Sequence, residues 1–187
     1  AISDVRMTGS DNSSFDGAIK STEVLRLTNT AVDNNASYSS VISCSQALTI
    51  TGSSITNNQI ARSIRGSATI TARTLLVRNS VISGNLGGGI SSSGETYIAD
   101  STISNNSSTG ILSRALGKIT ISRTAVSGNA GGGAYFFPRT NVTIQGCSFI
   151  NNRSSNAGAV ASAGDIEIRD CEFIGNVATN SGGAVFL

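Results

Sequence analysis

The residues best suited to chemistry lie close together near the C-terminal end: Asp165, Glu167, Arg169, Asp170 and Glu172. Carboxylates projecting from one face of a sheet bind calcium or act as general acid and base, and a neighbouring Arg steadies developing negative charge. On a stacked scaffold such chemistry usually draws on several adjacent strands. Here the equivalent positions one segment earlier are Thr143, Gln145 and Ser148, so the acids stand in one segment alone. The chain also has no His, the side chain that titrates near neutrality. Cys44, Cys147 and Cys171 contain no C-x-x-C pair, so neither a zinc site nor a dense disulfide framework is indicated. A solvated face explains the acids as well as an active site does. The expectation is therefore no catalytic residue, no cofactor and no metal site.

The elements that would have to position these residues are short and repeated. Asn-Asn or Gly-Asn closes one segment after another, and the second Asn falls at Asn35, Asn58, Asn85, Asn106, Asn129, Asn152 and Asn176, at spacings of 23, 27, 21, 23, 23 and 24 residues. One step back from Asn35 lies Asn12, read as a worn first member. Three places before each Asn stand Val32, Ile55, Ile82, Ile103, Val126, Phe149 and Phe173, all apolar. Eight and ten places before lie two further apolar columns, Leu27 to Ile168 and Leu25 to Ile166, the latter broken only by Thr96. Five places before come the small residues Thr30, Ser53, Ser80, Ser101, Thr124, Cys147 and Cys171.

Two period-2 pairs separated by an odd step describe two short strands with a bend between them, a pattern helical periodicity does not produce. The residue before each ladder Asn is itself Asn or Gly, the types that best tolerate a left-handed backbone, so a sharp corner is expected there. A Gly followed by a small or branched residue then opens a third strand, at Gly17-Ala18, Gly89-Ile90, Gly110-Ile111, Gly133-Ala134, Gly158-Ala159 and Gly183-Ala184. The fold class that follows is all-β: a right-handed parallel β-helix of about eight coils of about 23 residues. Stacked at roughly 4.8 Å, the coils make a rod on the order of 40 Å long. The ladder Asn are expected to point inward and pass hydrogen bonds from coil to coil. Cys147 and Cys171 share the slot of Ser and Thr and are expected to be stacked buried thiols, with a disulfide between the two coils as the alternative.

Phe149-Ile150-Asn151-Asn152 and Phe173-Ile174-Gly175-Asn176, followed by Gly158-Ala159-Val160 and Gly182-Gly183-Ala184-Val185, resemble the F-x-x-N and G-G-A-V repeats of the polymorphic outer-membrane proteins. Earlier coils carry Ile or Val where that family has Phe. The resemblance implies a secreted or surface-displayed passenger engaged in adhesion or surface architecture, with other protein chains, further coils or cell-surface glycans as partners. Pectin-degrading enzymes share the fold, so polysaccharide binding or cleavage is the alternative function.

Composition narrows the partners. Net charge is +2 and the basic residues form no run, so no nucleic-acid partner is expected. No apolar stretch approaches the roughly 18 residues that span a bilayer. Asn141-Val142-Thr143 is a candidate N-glycosylation sequon, while sequons starting at ladder Asn, such as Asn152-Arg153-Ser154, are expected to be buried. Tyr135-Phe136-Phe137 is the longest aromatic run, read as exposed; a loop packed over a neighbouring coil is the favoured explanation, and a binding patch is the alternative. Residues 1–187 are expected to be one domain, and with no charged or helical cap after Ala184 the open edge is expected to meet further coils or another copy.

Overall fold

The computed structural model describes residues 1–12, 17–60, 67–115 and 117–187, and for residues 11 and 12 the backbone alone. Every strand pair among them is parallel, and successive coils stack in register apart from one irregularity. A β-helix results, with coils about 23 residues apart, making about seven turns.

Three faces make up the coil. The first runs through Leu25–Thr28, Thr96–Ala99, Lys118–Ser122, Asn141–Gln145 and Asp165–Arg169. The second is an eight-stranded sheet from Arg6–Thr8 to Glu172–Ile174. The third contains Ile19–Ser21, Gly88–Ser92, Ile111–Ser113, Ala134–Phe136, Val160–Ser162 and Val185–Phe186. In two early coils the third and first faces are not separate. Ile42–Thr51 and Ala68–Arg78 are single strands that pass through the bend, with a register irregularity between Ala72 and Thr74. Later coils break there instead.

Alternation decides what is inside. Along Leu25–Thr28 the burial alternates, and Leu27, Ile50, Val77, Ile98, Ile121 and Ile144 stack as one fully buried column. β-Branched and leucine side chains suit this pleated, in-register packing. Val32 to Phe149 and Ile19 to Val160 supply the columns of the other two faces. Thr96 breaks the first-face column without an unpaired hydroxyl, because its Oγ1 donates to Ser92 Oγ at 2.7 Å. Phe149 and Phe173 lie face to face, centroids 5.3 Å apart and planes within 8°, since parallel in-register stacking leaves rings no other relation.

The structure corrects the repeat in three places. The strand register Asp11↔Ala36 sets Ser10, not Asn12, beneath Asn35; the Ser10 N–H and hydroxyl both donate to Asn35 Oδ1, at 3.0 and 2.7 Å. Ile90, Ile111 and Ala134 pair onward with Val160 and Val185, and back through Ile70 and Ile42 to Ile19. The Gly17-Ala18, Gly158-Ala159 and Gly183-Ala184 pairs are thus shifted by one residue relative to Gly133-Ala134. The third correction is Phe136, which is fully buried rather than exposed. Strand alternation sends it inward two residues after Ala134, into the hydrophobic core.

Candidate binding groove

Two inward corners hold each coil against the next. At the first-identified corner the residues Gly9, Asn34, Asn57, Gly84, Asn105, Gly128, Asn151 and Gly175 all have positive φ, between 54° and 71°. From Asn57 onward Asn and Gly alternate, and the glycines are crowded by the Asn before them: a Cβ on Gly84 would lie 2.5 Å from Asn57 Oδ1, and Gly128 and Gly175 are crowded in the same way by Asn105 and Asn151. Next in sequence comes the ladder. Asn106 Nδ2 donates to Asn129 Oδ1 at 3.0 Å and to the Ile82 carbonyl at 3.3 Å, and its backbone N–H donates to the same Oδ1 at 3.1 Å. The pattern repeats from Asn35 through Asn58, Asn85, Asn129 and Asn152 to Asn176. Asn35 to Asn152 are buried and Asn176 is half-buried. Each amide thus satisfies its own donors and one backbone donor of the preceding coil.

The second corner is the bend expected between the two period-2 strands, but its left-handed residue was not read from the sequence. Asp4, Asn29, Gly52, Asn79, Asp100, Arg123, Gly146 and Asp170, six places before the ladder position, also have positive φ. From Asn29 onward the residue after each is the Thr, Ser or Cys of the small column, whereas Val5 follows Asp4, and the small residues form a hydroxyl ladder. Ser53 N–H donates to Ser80 Oγ at 3.2 Å, while the Ser80 hydroxyl donates to the Arg78 carbonyl at 2.6 Å. Thr30, Ser101 and Thr124 donate to carbonyls two residues back in the same way. Cys147 and Cys171 are free thiols that continue it: Cys147 N–H approaches Cys171 Sγ at 3.4 Å, and each sulfur faces the carbonyl two residues before it. Burial pushes the Cys147 thiol up to about 11, with the Thr124 backbone opposing.

With both corners sealed by main-chain and ladder bonds, recognition falls to outward residues. The acid cluster Asp165, Glu167, Arg169, Asp170 and Glu172 is exposed on one level; Arg169 is ion-paired with Glu167, and Gln145 Nε2 lies 3.4 Å from Asp170 Oδ2. Asn141 is exposed at the start of Asn141–Gln145, between Lys118 and Asp165. On the third face, Tyr135 is 38% exposed and meets Phe137 edge to face at 5.1 Å, and the Arg114 guanidinium sits 5.1 Å over the Phe137 ring. These three groups form one wall of a groove of about 600 Å³, into which Arg153, Asn156, Thr109 and the backbone of Gly131 and Gly132 also open. The structure therefore keeps Tyr135 and Phe137 of the aromatic run together at the surface and removes Phe136 from it.

A family model described as a right-handed β-helix region matches residues 63–186. The chain belongs to the right-handed β-helix family. No curated protein sequence and no solved structure matches it significantly. Family membership gives the fold and its hand, and leaves the function of this β-helix to be argued from its own surface. Among the described residues no helix is long and apolar enough to cross a membrane.

Proposed function

We propose that this β-helix is a non-catalytic segment of a secreted or cell-surface protein, serving as a rigid scaffold for adhesion or surface architecture. The observation that supports this reading best is the division of labour in each coil. Inward side chains are committed to columns and ladders that repeat from coil to coil, while the outward surface carries an open groove with aromatic and Arg walls. The Phe-x-x-Asn and Gly-Gly-Ala-Val segments of the last two coils, similar to polymorphic outer-membrane repeats, point to the same surface role. Asn141, exposed and in a sequon, is the proposed acceptor if the chain is glycosylated, and Asn141→Gln should then remove the added mass.

The alternative is polysaccharide cleavage by the acids of the last level. Its weakness is that Glu167 is tied to Arg169 and that the level below offers Thr143, Gln145 and Ser148. Incubating the chain with a panel of polysaccharides tests the two readings. The scaffold reading expects no release of reducing or unsaturated ends; release that Glu167→Gln abolishes would overturn it.

A further inference from the structure

The groove beside Tyr135 does not end at Arg114. Arg114 also borders a second hollow of about 320 Å³ toward the N-terminal coils, with Arg73, Ser45, Thr71 and Ser91 around it. The two hollows share that one guanidinium and follow the third face along the rod. Register places Gly94 beside Arg73 and Arg114 next to Ser92, so the Arg73 and Arg114 positions are two levels apart, roughly 9 to 10 Å along the axis. Arg153 enters from the other side of the aromatic wall. All three Arg are exposed, and among the described residues lining either hollow none is acidic. This is a local positive stripe on a chain whose net charge is only +2.

The remaining lining narrows the ligand. Ser, Thr and Asn side chains offer donors and acceptors at close intervals, while Tyr135 presents an exposed ring. A chain of hydroxyl-rich rings, each with an apolar face and with negative charge at intervals, matches that combination, and two open hollows that meet at Arg114 on successive coils suit a chain rather than a single small molecule. We infer that this axial trough binds a linear anionic polysaccharide, its carboxylate or sulfate groups held by Arg73, Arg114 and Arg153 and a sugar face laid against Tyr135. The inference rests on the non-catalytic scaffold reading, and binding and turnover are scored separately.

The test is retention of the chain on immobilised polygalacturonate and dextran sulfate, with neutral dextran, polyphosphate and single-stranded DNA as comparators. The expected result is retention on one or both acidic polysaccharides, not on neutral dextran, and weaker on polyphosphate and DNA. Which acidic polysaccharide retains the chain tells carboxylate from sulfate recognition. Arg114→Gln, shared by both hollows, should raise the dissociation constant roughly tenfold, as loss of a charge-assisted hydrogen bond does. Tyr135→Ala should weaken binding to the polysaccharides while leaving binding to polyphosphate unchanged. Arg26→Gln, exposed on the first face, should change nothing. Equal retention of wild type and Arg114→Gln, or equal affinity for DNA and polysaccharide, would overturn the inference. Turnover of the bound polymer would instead sink the scaffold reading.

Discussion

The two inward corners of each coil meet the same demand with different chemistry. Both place one residue in the left-handed region and follow it with a polar side chain that seals the bend. At one corner that side chain is Asn at seven successive levels, and its amide reaches forward to the next Asn and back to a carbonyl of the previous coil. At the other it is Thr, Ser or Cys, whose hydroxyl or thiol is satisfied mostly within its own coil, by the carbonyl two residues before. The difference explains the sequence variation. A group that must bond both neighbouring levels admits one residue type, whereas a locally satisfied group admits any small donor, including a thiol.

The comparison is broken most severely at the Asn ladder. Asn129→Leu strips partners from the Asn106 N–H and amide and from the Ile103 carbonyl. Leaving buried groups unpaired should cost on the order of 3 kcal/mol, seen as a lowered denaturant midpoint. An unchanged midpoint would mean that the amide is dispensable. The same deletion at the other corner, Ser80→Ala, frees the Ser53 N–H and takes one donor from the Arg78 carbonyl, which keeps the Gly52 N–H. About 1 to 2 kcal/mol is expected there, and a larger loss than at Asn129 would reverse the ranking.

Sharper tests use substitutions that respect each corner. Cys147→Ser places in the thiol slot the residue used at Ser53, Ser80 and Ser101, so stability should shift by less than about 1 kcal/mol. In the wild type, stability tied to the suppressed Cys147 thiolate is fully present below the ordinary thiol range and is lost as pH rises through about 11. Cys147→Ser should flatten that alkaline limb of a pH titration of the midpoint. Smallest is Arg123→Gly. Arg123 is held at φ 44° without glycine's freedom, yet it pairs with Asp100 at 2.6 and 2.8 Å, and the exposed pair and the backbone strain should nearly cancel. The Arg123 guanidinium holds the Asp100 carboxyl below its usual range. The pair's contribution is therefore present above the ordinary carboxylate pKa and fades as pH falls through the depressed value, so the glycine variant should compare best in acid.

Much of this was legible in the sequence, for a physical reason: stacking identical coils forces identical environments, so the apolar columns and the Asn column repeat in plain sight. What was missed lacked that uniformity. The left-handed position of the second corner is filled by Asp, Asn, Gly and Arg, which share a backbone conformation but no chemistry. The small column was recognised as small, but hydrogen bonding along it depends on register that composition does not express. Asn12 follows from one 23-residue step back from Asn35, whereas the strand register sets Ser10 there. Phe136 was readable, since alternation from the inward Ala134 sends it to the core, but a run of three aromatics invited reading as a single patch. The trough was not readable, because Arg73, Arg114 and Arg153 are far apart in sequence and meet only through coiling.

The central claim is that the Asn ladder locks successive levels together, and amide hydrogen exchange reads it directly. In the native wild-type chain, the backbone amides of Asn35, Asn58, Asn85, Asn106, Asn129 and Asn152, each donating to the Oδ1 of the next level, should be among the slowest to exchange. Protection should fall at Asn106 and its neighbouring coils in Asn129→Leu. Rapid exchange of these amides in the wild type, at the rate of exposed loops, would contradict the account.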